Sequence, residues 1–339
     1  MKGVTFGPYH SYATFGLILS SKEIAAPKVK TMSIDVPGTD GELDFTEYFG
    51  EPKYGNRKLS FHFSTMVPPS QFMALFSTIQ NALHGQKMNI TLDDDPEWYY
   101  TGRIAVPEWK TVKRMGKLTI DCDCEPFKHK ISSQAVALCG KNLMNLDSGK
   151  ATAVGTWTKT ETGYTFERGT GTGGSFAYFA VPVRKGQSYV FSADYGNAGT
   201  LYVYKDKLYG EQITKTNKGE PAIFTPEETG IYVFGLYVVS STQAAEFSNV
   251  MLQAGAAVGA YEAYDGTGKE VVVTFGNTRK EAVPSAYVTG AISMESDSVF
   301  ITLAEGKQLL DSFIFKQGDN SFTFKGNGVA VVEWEEGGL

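Results

Sequence analysis

The sequence is poor in the residue types on which most catalytic chemistry depends. Three cysteines in 339 residues, Cys122, Cys124 and Cys139, are too few for a disulfide framework. Cys122 and Cys124 stand two apart on an expected strand, so both point to one face and read as small core residues. No second pair exists to complete a four-ligand zinc site. All four histidines (His10, His62, His84, His129) fall in the first 130 residues, without a motif-placed Ser or Cys nucleophile and without an HExxH sequence. Charge is also sparse. The net value is −6, divided as 15 basic and 15 acidic residues in 1–130, 10 and 12 in 131–268, and 6 and 10 in 269–339. No segment is basic, which argues against nucleic acid as a direct ligand. No apolar run approaches membrane-spanning length, and Phe15–Leu19 is too short for the core of a signal peptide. The expectation is a non-enzymatic, cofactor-free and metal-free protein, made in a cytoplasm and not inserted in a membrane.

What is abundant points to β-structure. Glycine occurs 37 times and aromatics make up 13% of the chain. Aromatic side chains pack well on pleated surfaces, and glycines supply the turns between short strands. Lys58–Thr65 alternates cleanly, with Leu59, Phe61 and Phe63 on one side. One helix is expected, opening after Pro68-Pro69 with Ser70 as its cap, carrying Phe72, Leu75, Phe76, Ile79 and Leu83 on one stripe, and stopping at Gly85. Asp93-Asp94-Asp95-Pro96 reads as a solvated acidic turn, since Pro96 and a missing distal Glu break the calcium-loop pattern. Gly169–Gly174 reads as a flexible turn, because phosphate cradling needs a following helix and a basic partner.

The first region turns on Val36-Pro37-Gly38-Thr39-Asp40-Gly41-Glu42-Leu43-Asp44-Phe45, two turn dipeptides followed by an alternating strand with one apolar face. Around it stand Phe15-Gly16-Leu17-Ile18-Leu19, Tyr54-Gly55-Asn56-Arg57, Leu83-His84-Gly85-Gln86 and Leu92–Arg103. This ordered series resembles the amino-terminal half of the distal tail proteins of long-tailed, non-contractile bacteriophages, over residues 1–130. The carboxy-terminal residues, with Asn277, Pro284 and Val332–Leu339, resemble the galectin-like sandwich of the same proteins. The resemblance implies a structural protein of the virion tail tip, assembled as a ring of six copies. Its implied neighbours are the tail tube protein and the tail-tip hub, or tail-associated lysin, protein.

Between these parts, residues 141–265 carry repeated alternating runs separated by glycine- and threonine-rich turns, the pattern of a β-sandwich or jelly roll. Asn142-Leu143, Lys185–Ser192 and Val250–Gly255 resemble jelly-roll carbohydrate-binding modules of phage tail proteins, although Ala254 replaces the usual acidic residue. The expected architecture is mainly β: a belt domain with one helix (1–130), and a galectin-like sandwich (131–140 and 266–339) carrying an inserted jelly roll (141–265). In that insert, Tyr202 and Tyr204 share one strand face and Tyr232 and Phe234 another. Sugar rings lie on aromatic planes while their hydroxyls need polar partners, for which Lys205 and Gln212 are candidates. At most one pair can face solvent; the other fills the core. The implied ligand is a polysaccharide of the host surface. A free carbohydrate-binding protein and a polysaccharide-degrading enzyme are the competing readings. The second needs two carboxylates, for which Glu227-Glu228 and Glu333-Glu335-Glu336 read instead as exposed charge.

Overall fold

The computed structural model describes residues 3–48, 50–112, 115–196, 199–217, 219–296 and 299–339. The chain is mainly β, in antiparallel sheets, and divides into two compact units. One comprises Met1–Ile131 with Thr278–Lys280 and Glu336–Leu339; the other comprises Ser132–Asn277 with Glu281–Glu335.

In the first unit, strand Met115–Cys124 pairs with Arg57–Thr65 and, at Asp121–Cys124, with Asp95–Ala105. Leu59, Phe61 and Phe63 are buried together on one face, as their alternation requires, and Cys122 and Cys124 join the same core. Burial pushes the Cys124 thiol up to about 12 and that of Cys122 higher still, so both stay protonated. The expected helix spans Phe72–Leu83 and buries Phe72, Ile79 and Leu83. Its start differs from expectation: Pro69–Gln71 forms a 3-10 turn, Ser70 lies inside it, and no side chain caps the helix. Pro68-Pro69 fixes the backbone there, which removes the need for a capping hydroxyl. A second helix, Ser11–Phe15, is too short for periodicity to reveal. His10 Nδ1 accepts the Ala13 N–H at one end, and Gly16 at φ +66° closes the other.

The Pro37–Asp44 stretch belongs to a hairpin of Ser33–Asp35 and Glu42–Asp44, which among the described residues pair only with each other. The expected apolar face is present, but it is not packed on a core. Ile34 and Leu43 sit opposite each other, 48% and 54% exposed. The acidic stretch is a turn at Asp93-Asp94 with both residues exposed, as expected, and all three carboxylates also have partners. Asp93 accepts the Gly3 N–H at 2.6 Å and meets His10, Asp94 pairs with Lys22, and Asp95 pairs with Lys128 at 2.7 Å.

In the second unit, residues 141–265 supply two five-stranded sheets. The first runs in the order β1-β2-β5-β3-β4, where β1 is Lys150–Ala151, β2 Ser175–Val183, β3 Gly199–Lys205, β4 Gln212–Asn217 and β5 Gly230–Val238. The second contains Thr156–Lys159, Tyr164–Glu167, Ala244–Ala254, Tyr189–Tyr195 and Ala222–Phe224 in that order. Both sheets contribute to one core, including Phe179, Leu201, Phe234, Phe166, Phe191 and Phe247. Asn142 ties the beginning of this region to its end. Its buried amide accepts from Met144 and Leu252 N–H and donates to the Val250 carbonyl, so all three bonds fall within 3.0–3.1 Å.

The remaining strands of the unit are organised by Gly318–Gly338, which pairs with Lys269–Asn277 through residues 318–326 and with Ser285–Ser296 through 323–333. Gly326 and Gly328 lie near φ +130°, and a Cβ at either would sit about 2 Å from a carbonyl oxygen of the neighbouring strand. Glycine is required at both positions, because the backbone is left-handed there and a side chain would collide with the neighbouring strand. Val329, the next residue after Gly328, is buried in the core of the two five-stranded sheets.

Candidate glycan-binding face

Strand alternation sorts the four candidate aromatics. Tyr232 and Phe234 point between the sheets, where Phe234 is fully buried against Phe191 and Phe224. They are core residues, and this corrects their candidacy as a ligand surface. Tyr202 and Tyr204 point the other way, because Leu201 and Val203 between them fill the core. Their rings are parallel within 2° and their centroids 5.5 Å apart.

These two belong to a larger aromatic face that the sequence did not disclose. Cα partners across an antiparallel sheet share a face, so the register assembles it row by row. One row reads Lys150, Tyr178, Gly235, Tyr202, Lys215 across β1, β2, β5, β3 and β4. The row beside it contains Phe176 and Tyr237, and the row on the other side Ala180, Val233, Tyr204 and Gln212. Phe176 is the centre. Its ring meets Tyr237 at 4.6 Å, Tyr202 and Tyr209 at 5.5 Å and Tyr204 at 6.2 Å. Gly235 makes room for it, since a Cβ there would lie 2.8 Å from that ring. Tyr209, held at φ +62° in the turn after β3, is 66% exposed.

The phenols of this face differ from those of the core. Tyr164 donates to the Leu146 carbonyl, Tyr232 to that of Glu228, and Tyr189 accepts the Arg184 N–H. The hydroxyls of Tyr178, Tyr202, Tyr204, Tyr209 and Tyr237 make no hydrogen bond to a protein group among the described residues. Burial, and then the neighbouring phenols, pushes Tyr204 up to about 12, so its phenol is neutral at physiological pH. An apolar surface edged with unpartnered donors is what a sugar ring, with its C–H faces and hydroxyls, can satisfy.

Of the two polar candidates, Gln212 is exposed and faces outward as the partner of Tyr204. Lys205 is turned away by alternation, and its ammonium is held by Glu228 at 2.5 Å. That pair lowers Glu228 below the ordinary carboxylate range. Glu333 departs from the expectation of exposed charge: it is half-buried, and desolvation raises its carboxyl against the pull of Thr229, Lys307 and Lys185. Gly169–Gly174 is also less free than expected. Arg168 donates to the carbonyls of Thr242, Gly173 and Val239 at 2.5, 3.0 and 2.7 Å, which fastens the turn to the end of a neighbouring loop.

The first unit has a cavity of about 880 Å³, in whose lining Lys87 pairs with Glu125 and Arg103 donates to the Gly85 carbonyl. His62 bonds Thr119, His84 Nδ1 accepts the Val106 N–H, and His129 stacks on Tyr99. No helix among the described residues is long and apolar enough to cross a membrane. No group of three or more potential metal ligands occurs among them.

No protein-family profile matches the chain, and no curated protein does. Among solved structures it is similar to the SPP1 Dit (gp 19.1) protein, described as a paradigm of hub adsorption apparatus in phages infecting Gram-positive bacteria. That likeness has a TM-score of 0.38 and 10% identity, and it covers 100% of both chains. A second is GK1651 from Geobacillus kaustophilus, with a TM-score of 0.18 and 10% identity over 69% of this chain and 95% of that one.

Proposed function

We propose that the protein is a structural component of a bacteriophage tail tip, and that residues 141–265 bind host-surface polysaccharide during adsorption. The ordered motif series in residues 1–130 and its resemblance to distal tail proteins support the tail-tip part. In this reading the first unit self-associates into a closed ring, which uses complementary patches without leaving open ends. The ring joins the tail tube to the tip apparatus. The outward aromatic face of β1–β5 carries the glycan part, because it combines unpartnered phenols with the rings of half-buried Tyr178, Tyr202 and Tyr237 and exposed Tyr209, which pack over the buried Phe176 and Tyr204. A single shallow site of this kind binds in roughly the millimolar to micromolar range. Several copies on one ring multiply that avidity. Mass measurement by light scattering, with and without tube protein, and electron microscopy test the ring. Closed oligomers are expected; a strict monomer under every condition rejects it. Binding of the full chain to host cells, compared with a Tyr202→Ala, Tyr237→Ala variant, tests the module, and equal binding by both rejects it.

A further inference from the structure

Resting on the glycan reading above, we propose that the ligand of the outward face is an anionic polysaccharide, with Lys150 and Lys215 reading its negative groups. The observation is the central row itself. Lys150 and Lys215 stand at its two ends, with Tyr178 and Tyr202 between them and the bare Gly235 in the middle. Neighbouring strands are spaced by about 4.8 Å, so four gaps separate the lysines by roughly 19 Å along a line crossing the sheet. Such a line accommodates several consecutive sugar residues, and a polymer lying along it would place its charges over both ends.

Three further facts favour negative charge. Both lysines are exposed, and neither has an ion-pair partner among the described residues, whereas Lys205, Lys159 and Lys141 of the same region each have one. No acidic residue occurs in the three rows that make the face, although the chain as a whole is acidic at −6. The ammonium groups are donors only and the phenol hydroxyls can donate as well as accept, and the strongest acceptor for such donors is a carboxylate or phosphate oxygen. Acidic residues stand at the rim, with the exposed Asp206 in the turn between Tyr204 and Tyr209. Glu211 precedes Gln212. Glu305 shares with Lys150 and Tyr178 the lining of a cavity of about 120 Å³, and its carboxylate accepts the Gly290 N–H.

Stacking and charge reading are separable by mutation. Lys150 and Lys215 make no described contact that holds the fold, so a Lys150→Gln, Lys215→Gln double variant keeps its melting temperature. The test is affinity electrophoresis of the full-length chain through gels containing polygalacturonate, poly(glycerol phosphate) or neutral dextran, at low and at moderate salt. The expected result is retardation by at least one anionic polymer that weakens about tenfold in the lysine variant, since two exposed charge contacts of up to about 1 kcal/mol each are removed. That retardation also weakens with salt, is lost in Tyr202→Ala, and exceeds that in dextran. Which of the two anionic polymers binds identifies carboxylate or phosphate as the recognised group. Dextran binding as tight as the anionic polymers, with no effect of the lysine substitutions, overturns the anionic assignment and leaves the glycan reading standing. No retardation by any polymer overturns both. Retardation unchanged by Tyr202→Ala removes the face from the site.

Discussion

The two aromatic pairs of residues 141–265 look alike in sequence, yet their replacement should have opposite consequences. Phe234 is fully buried and meets Phe191 at 5.4 Å and Phe224 at 5.9 Å, with no solvent path. Phe234→Ala removes that ring and leaves a void that rigid strands on both sides cannot close, a cost of about 3–5 kcal/mol. In a unit of this size each kcal/mol shifts the melting point by roughly 2–4 °C, so a fall on the order of 10 °C is expected. Tyr202 is half-buried on the outer face, and its hydroxyl bonds nothing among the described residues. Tyr202→Ala forfeits only partial burial and edge contacts to Phe176 and Tyr237, roughly 1–2 kcal/mol. Calorimetry or urea titration of both variants beside the parent reads the difference, and polymer binding reads the function. Phe234→Ala should melt low and, well below its melting point, still bind; Tyr202→Ala should melt near the parent and fail to bind. If the two lose equal stability, the division of this strand pair into core and surface is wrong.

Two more outcomes follow from individual groups. Tyr204 is pushed up to about 12 from its ordinary value of 10.0, chiefly by burial. The stabilisation from its protonated phenol is therefore complete below pH 10 and disappears as the pH rises towards 12. Tyr204→Phe should accordingly flatten the alkaline limb of a stability–pH curve, and an unchanged limb would contradict the burial. Arg168→Lys keeps the charge but cannot fork to three carbonyls. It should cost about 2 kcal/mol in urea unfolding and raise proteolysis within residues 169–174.

Local chemistry made part of the fold legible. The run from Leu59 to Phe63 alternates with period two and is buried with period two. The stripe from Phe72 to Leu83 was visible for the same reason, since helical periodicity lasts three turns there. Short or singly partnered features escaped. Ser11–Phe15 has one turn, and nothing in composition distinguishes it from a loop. The aspartates of 93–95 form the exposed turn that their sequence suggests, but their partners, Gly3, Lys22 and Lys128, are remote in sequence and could not be read from it. Likewise, Gly326 and Gly328 look like ordinary loop glycines until the strand that crosses them is known to change partners between 318–326 and 323–333.

The candidate site shows the same division more sharply. Alternation put Tyr202 with Tyr204 and Tyr232 with Phe234, and by itself did not say which pair faced out. The answer lies in the flanking residues: Leu201 and Val203 are apolar and take the core side, which leaves the tyrosines outside. Around Tyr232 and Phe234 the flanks are Ile231, Val233 and Gly235, equally apolar, so the local signal vanishes there. Phe176, Tyr178 and Tyr237 were not singled out because each gains its meaning only through cross-strand register. Tyr237 opposes Phe176, and Tyr178 opposes a glycine that lets the Phe176 ring lie over the strand. The two lysines are the extreme case. Lys150 and Lys215 are 65 residues apart, on edge strands of the same sheet, and share one row only because three intervening strands fix the offset. A surface of this kind is a property of the pairing, and a slip of one residue on β5 would turn Gly235 inward and Phe234 out.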